Sequence, residues 1–576
     1  MYVGTYLDRQ NNLLYVSERI NGNRVTTTYP LIYEYLVPDD NGYDMGIDGQ
    51  RLKKITLHPI TSFVLLIVGV ILLSFILSLF NVSATYSNIN IATGALEKTL
   101  VSVNNLLSYD GMKMVISNAA TNFISSSPLS TLIITLIGLK IAEKTGLIQA
   151  FMKKRIIKIN PKTLTFIIIL MSIFSSIVNE VGYALLIPLA ALLFLFNGRN
   201  PLAGIAAAFA GVAFGYSISF FVGSIDIDLI PYTQASARLI DSEFYVRMTS
   251  NLFIMIVSSF LIALIATLIT EKIIVKKLGR YVAKTRDDLG QTKEIEYLDL
   301  QYEEEKKIKE EALQKKGLKS AKIVGIIVII LFVYMIIPGL PLSGMLLDLK
   351  QSAYVDQLFG KNSYFQDGFT YMMSIFFGIT GIAYGISAKT IKNDKDLFNK
   401  LKESLSELGI IIVMIFFASQ FVAIFKESNI GTVIAATMAN ILQSLPFSGA
   451  ALIIVAIILI AISNIFVTGS ISKWVIFSST MVPTFMQLGI SPQFTQFIFR
   501  AAESMTNGIT PLLAYFVVYL GYMNIYNKDY EKPITIRKGL SIMVPYFIGI
   551  SLTWLFIILM WYIIGLPLGP GVYPSL

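Results

Sequence analysis

Runs of about twenty apolar residues, the length a helix needs to cross a bilayer, recur along the chain. They lie near residues 60–81, 126–146, 201–224, 250–273, 323–341, 368–387, 408–426, 496–522 and 541–565. Two further apolar stretches, 163–198 and 450–488, are too long for one crossing and are broken in the middle by polar residues. Each reads as two helical arms joined at a tip. The pattern therefore predicts an all-α integral membrane protein with about nine transmembrane helices and two hairpins. Residues 1–57 carry no such run; they are rich in Tyr, Asn, Asp and Gly, and RVTTTYPLIYEYLVP within them reads as short strands. Two units follow, an N-terminal extension over 1–57 and a membrane domain over 58–576.

Charge sets the expected orientation. Lys and Arg collect in cytoplasmic loops, and Arg51, Lys53 and Lys54 stand just before the first helix, so the N-terminus is expected in the cytoplasm. The second helix then runs inward to Lys153, Lys154, Arg155, Lys158 and Lys162. Arg199 follows the 163–198 stretch, so basic residues flank that stretch on both sides. It should enter and leave on the cytoplasmic face, a re-entrant hairpin with SSIVNEVG at its tip. The 450–488 stretch has uncharged flanks, SLPFSG and MQLGISPQ, and should be re-entrant from the opposite face, with SNIFVTGSISKW at its tip. The charged segment 281–322 has acids and bases three to four residues apart, which supports a solvated helix in a cytoplasmic connector.

Composition agrees and narrows the chemistry. Of 576 residues, 54% are hydrophobic and 14% charged, against about 25% charged in soluble proteins. Most of the surface must therefore meet lipid. A net charge of +9 is modest for this length and fits basic cytoplasmic loops, with no call for nucleic acid as a partner. Absence of cysteine excludes disulfides, thiolate metal sites and cysteine catalysis. The single histidine, His58, precedes the first apolar run, which excludes an HExxH zinc site and a Ser-His-Asp triad. No P-loop motif occurs either, so no enzyme is predicted.

A few intramembrane charges stand out. Glu180 is the only charged residue in 163–198, and Lys473 the only one in 451–499. Arg500 and Glu503, the only charges in 492–527, share one helical face at i and i+3. Such groups cost at least roughly 2.5–3.5 kcal/mol each at the centre of a bilayer and usually pair or serve a function. The formal sum of these four is zero, consistent with mutual pairing. Each hairpin is followed by a Pro-initiated helix, RNPLAGIAAAFAGVAFGYSISFFVGSIDIDLIP after the first and SPQFTQFIFRAAESMTNGITP after the second. Both helices carry a Ser/Thr, Asn and Gly break. Inverted repeats with broken helices meeting at mid-membrane are the architecture of ion-coupled secondary transporters. Alternatives remain at the level of single residues: Arg500 and Glu503 as a structural pair, Lys473 snorkelling to an interface, Trp474 in an aromatic belt, Asp226 and Asp228 as cap or loop charges.

These residues resemble the p-aminobenzoyl-glutamate transporter (AbgT) family over roughly residues 100–565. The resemblance is carried by NLLSYDGM, IAEKTGLI, VGYALLIPLAALLF, GRNPLAGIAAAFAGV, the GYS…GSID run, SQFVAIFKESNIGT, SKW and RAAESMTNGITPLLAYF. It implies a homodimer with nine spanning helices, two opposed hairpins and a substrate and ion site between them, in the bacterial cytoplasmic (inner) membrane. The family's polar site positions fall on Glu180, Asn464, Trp474, Pro492, Arg500 and Glu503. Two departures are visible. The acidic positions, Asp in better-known members, are Glu here, and the serine expected three residues before the tryptophan is Ile471, flanked by Ser470 and Ser472.

The expectation is a secondary active transporter for p-aminobenzoyl-glutamate or related aromatic carboxylates, with export of p-aminobenzoate-like antimetabolites such as sulfonamides as a variant of it. Arg500 would pair with a substrate carboxylate through its planar fork, Trp474 would stack on the aromatic ring, and Lys473 would add positive potential, with Pro492 as a further substrate position. Glu180 and Glu503, helped by Asn179, Asn464, Thr506 and Asn507, would bind the coupling cation, H⁺ or Na⁺, with a Na⁺ site expected at Glu180, Asn464, Glu503 and Asn507. No cofactor is expected. The rival reading is a transporter of the same architecture for dicarboxylates or other organic anions.

Overall fold

The structure is a computed structural model. It describes 2–8, 13–20, 23–30, 43–45 and 51–53 near the N-terminus, and 57–576 apart from 157, 179, 280, 282–303, 361–362, 407 and 528–531. The chain divides into two units, 1–57 and 58–576. Within the first, Tyr2–Asp8, Leu13–Ile20 and Asn23–Pro30 form a three-stranded antiparallel sheet, and Tyr43–Met45 pairs with Arg51–Lys53. Strands are thus present, and they extend beyond the RVTTTYPLIYEYLVP segment.

The second unit is helical. Eight helices among the described residues are long and apolar enough to cross a membrane: Pro59–Leu79, Pro161–Val178, Leu252–Leu278, Glu310–Ile336, Tyr364–Ser387, Gly409–Glu427, Gly449–Phe466 and Ile536–Ile564. Two of these are first arms of the expected hairpins. Ser127–Lys144 forms where the second crossing was expected. The helix expected over 323–341 belongs to a longer one, Glu304–Ile336, which takes in the latter part of the charged connector; 282–303 lies outside the described residues. A helix that the apolar pattern does not show, Ile430–Ser444, is 15 residues long and carries Thr, Asn and Gln on one side. Too short and mixed for a crossing, it packs against both arms of the second hairpin.

The first hairpin has arms Pro161–Phe174 and Val181–Phe196. Its open end is tied by Arg199, which donates to Pro161 O (3.1 Å) and Thr165 Oγ1 (2.8 Å) and pairs with Glu271 Oε1 at 2.6 Å. The second has arms Gly449–Phe466 and Ser470–Gln487. Its open end meets Tyr562, which lies beside Gly449 and stacks its ring on Phe494 at 6.4 Å. Leu252–Leu278 and Ile536–Ile564 give the direction. Phe253 N–H donates to Leu568 O, and Lys277 Nζ to Ser541 O, so these helices run antiparallel. Glu271 lies at one end of this pair and Tyr562 at the other. The two hairpins therefore open toward opposite ends of the bundle.

Each hairpin is followed by a broken helix. Pro201–Phe214 and Ser224–Ala237 are separated by an unwound segment, and so are Pro492–Asn507 and Phe516–Ile525. Proline at N1, with Asn200 or Ser491 capping, starts both. Every residue of Pro201–Phe214 is buried, because its many Ala and Gly residues let neighbouring helices close on it from several sides. A Cβ at Gly204 would come within 2.5 Å of Ala190 O in the first hairpin. Hydroxyls stitch the breaks to the hairpin tips: Ser176 Oγ donates to Ile218 O at 2.9 Å, and Thr510 Oγ1 to Ile465 O at 2.8 Å.

The two breaks touch at Gly508, where a Cβ would overlap the fully buried Phe214 ring. Gly508→Ala is therefore expected to destabilise the protein by about 1–3 kcal/mol, the usual cost of overpacking. The melting temperature in detergent checks it; an unchanged value would mean that the Phe214 ring shifts to make room.

Candidate functional site

Four charged side chains meet where the second hairpin crosses the two breaks. Lys473 Nζ lies 2.5 Å from Glu503 Oε1. Arg500 Nη1 is 3.3 Å from Glu503 Oε2, and Arg500 Nε is 3.2 Å from Asp226 Oδ1. Lys473, Arg500 and Glu503 are 0%, 3% and 1% exposed, a depth at which only pairing makes charge tolerable. Arg500 Nη2 also donates to Tyr216 O in the first break at 2.9 Å, and Nη1 to Ser470 Oγ at 3.3 Å. Ser470 thus brings a hydroxyl to the guanidinium although position 471 is isoleucine.

This corrects the expected pairing. The neutral quartet is Asp226, Glu503, Lys473 and Arg500. Asp226, read from sequence as a cap or loop charge, takes the place expected for Glu180. It sits in the first turn of Ser224–Ala237, where the helix restarts after its break, and a helix start favours an acid.

Asn464 closes the tip of the second hairpin. Its amide donates to Glu503 O (2.8 Å), Thr506 Oγ1 (3.0 Å) and Asn507 Oδ1 (2.8 Å), and its oxygen accepts from Lys473 Nζ. Trp474 is fully buried, donates to Thr233 Oγ1 at 2.9 Å and packs its ring 4.6 Å from Phe499. Thr233 in turn donates to Gln496 Oε1 at 2.5 Å. Pro492 opens its helix eight residues before Arg500, about 12 Å away along the axis at 1.5 Å per residue. It is placed apart from the charges.

Glu180 also stands apart from the quartet. At the start of Val181–Phe196, its Oε2 accepts from Ser127 Oγ at 2.7 Å, and that hydroxyl lies 3.0 Å from Tyr515 Oη in the second break. Among the described residues no cation lies within ion-pair distance of it. Asn179 lies outside the described residues. Tyr216 packs its ring 5.2 Å from Arg500 Cζ. Ser127, Tyr515, Tyr216 and Thr233 were not picked out from the sequence; each is an uncharged side chain in or beside an apolar run.

No group of three or more His, Cys, Asp and Glu converges among the described residues. The expected Na⁺ ligands Asn464, Glu503 and Asn507 do come together, with the Lys473 ammonium among them, while Glu180 belongs to the separate cluster. A narrow cleft lined by Asp226, Val246, Arg247, Asn251 and Gln496 reaches Arg500. Met255, near the start of Leu252–Leu278, also lines it.

Opposed hairpins, paired broken helices and buried, paired charges are the features of a multi-pass membrane transporter. The chain belongs to the AbgT family: the family model described as "AbgT putative transporter family" matches residues 50–576. The p-aminobenzoyl-glutamate transport protein of Escherichia coli (strain K12) is 30% identical over 527 residues, 92% of this chain and 96% of that protein. Among solved structures, the YdaH transporter of Alcanivorax borkumensis is 27% identical, with 89% of this chain and 100% of that one covered at a TM-score of 0.44. MtrF of Neisseria gonorrhoeae, described with a class of antimetabolite efflux pumps, is 34% identical, with 90% and 98% covered at a TM-score of 0.44.

Proposed function

We propose that this chain is an ion-coupled secondary transporter of p-aminobenzoyl-glutamate or related aromatic carboxylates, working as a homodimer in a bacterial cytoplasmic membrane. The observation that carries the reading is the buried neutral quartet at the crossing of the breaks, with Arg500 at the end of a cleft. A carboxylate needs a desolvated cation, and a guanidinium offers it a planar fork. The Escherichia coli relative supplies the substrate class. Outward movement of p-aminobenzoate-like antimetabolites is the same chemistry run in the other direction, and MtrF is the relative that suggests it.

Two clusters divide the labour. Arg500 and Lys473 hold the anion, and Glu180, surrounded by hydroxyls, takes the coupling cation. Lys473 supplies the positive charge beside Asn464, Glu503 and Asn507, so the coupling ion belongs at Glu180. Trp474 is buried against Phe499 and Thr233; it stacks on a substrate ring once Ser224–Ala237 moves away from it. The first hairpin is re-entrant from the cytoplasmic side, where Arg199 and the basic loops lie, and the second from the other side. The expected result in liposomes is saturable accumulation of labelled p-aminobenzoyl-glutamate under an imposed proton or Na⁺ gradient. Equilibration without accumulation under either gradient would overturn coupling. Stronger competition by simple dicarboxylates than by aromatic carboxylates would favour the rival substrate class.

A further inference from the structure

The quartet poses a problem for any anion carrier: Arg500 must be free to take a carboxylate, yet a buried guanidinium cannot be left unpaired. Asp226 answers it. Its contact with Arg500 is single and 3.2 Å long, weaker than the two parallel bonds of 2.7–2.9 Å that an arginine fork can make to a carboxylate. Asp226 is also the most exposed member of the quartet, its side chain 16% exposed against 3% for Arg500, and it lines the cleft beside Arg247. The other groups on Arg500 face inward, namely Glu503, Ser470 and the Tyr216 carbonyl.

We propose that Asp226 is a resident stand-in for the substrate carboxylate, pairing Arg500 between transport cycles and giving way to the carboxylate when it arrives. This rests on the substrate class proposed above. The exchange replaces one negative charge on Arg500 by another, so the buried site keeps its zero sum throughout. It also replaces one long contact by a two-bond fork. Asp226 moves into the cleft, where solvent and the exposed Arg247 receive it. The same helix carries Thr233, the hydrogen-bond partner of Trp474, and its Asp226 carbonyl accepts from Gln496 at 3.4 Å. Releasing Asp226 therefore loosens the cover over the tryptophan, which links carboxylate capture to exposure of the aromatic platform.

Binding of p-aminobenzoyl-glutamate to the purified full-length protein, measured by calorimetry, tests this with Asp226→Asn, Arg500→Gln and the double variant. Removing an internal competitor raises apparent affinity by the reciprocal of the free fraction, so Asp226→Asn is expected to tighten binding about tenfold or more. Transport in liposomes should slow in the same variant, because on the return step Arg500 keeps only Glu503 as a charged partner. In the Arg500→Gln background, Asp226→Asn should change affinity less than about twofold, since no guanidinium remains to compete for. Equal tightening in both backgrounds would mean that Asp226 acts only through long-range repulsion, and would overturn the proposal. So would equal or weaker binding by Asp226→Asn with a melting temperature like wild type. Wild type that binds a simple dicarboxylate but no p-aminobenzoyl-glutamate would instead overturn the substrate class.

Discussion

Glu180→Gln is expected to abolish gradient-driven accumulation while leaving the protein folded. Glu180 has hydroxyl partners only, Ser127 and Tyr515, and no cation at ion-pair distance among the described residues. A carboxylate in that setting is costly in its charged form, so a proton or Na⁺ that neutralises it binds with a large advantage. Glutamine has nearly the same shape and can still accept from Ser127, but it cannot take up a cation in exchange for charge. Substrate should still bind, because Arg500 and Lys473 are untouched, and vesicles should reach equal concentrations inside and out instead of a gradient. Glu180→Asp should keep the coupling but slow it, since the side chain shortens by one methylene and loses the 2.7 Å contact with Ser127. The measurement is the accumulation ratio under each gradient, with substrate binding and melting temperature as controls. Wild-type accumulation by Glu180→Gln would remove this residue from coupling.

Hairpins and Glu180 share a reason for being legible in sequence. An apolar run too long for one crossing and holding one acid has few ways to fold, and the basic residues at both of its ends identify its open side. Arg199 illustrates this, since the residue that marks the flank is also the one that ties the arms together. Asp226 was hidden for an equally physical reason. The sequence shows that the helix after the first hairpin is broken but not where it restarts: the apolar run continues to 224, whereas the chain unwinds after Phe214 and starts again at Ser224. An acid that closes a helix in one reading opens a half-helix in the other. Its partner Arg500 is 274 residues away, a distance no periodicity reports. Ser127 and Tyr515 were hidden because a hydroxyl costs little among apolar neighbours and so leaves no anomaly. Trp474 was visible, yet its burial against Thr233 and Phe499 depends on packing between two half-helices.

The quartet leads to a prediction about stability with an effect as large. Lys473→Met should destabilise the protein by about 3–5 kcal/mol, the cost of breaking a buried ion pair from one side. Lys473 is fully buried, and its loss leaves Glu503 with Arg500 alone and the Asn464 oxygen without a donor. Glu503→Gln alone strands Lys473 in the same way. The double variant Lys473→Met/Glu503→Gln removes both charges, keeps the site neutral through Asp226 and Arg500, and should lose clearly less than the two single variants added together. Melting temperatures of the three variants in one detergent, with calorimetric enthalpies, give the coupling; purely additive losses would show that Lys473 and Glu503 do not act as a unit. A double variant that is stable yet fails to transport would separate folding from function. Buried ion pairs are seldom the most stable filling for an interior, and the carboxylate exchange proposed for Arg500 gives these charges a reason to be kept there.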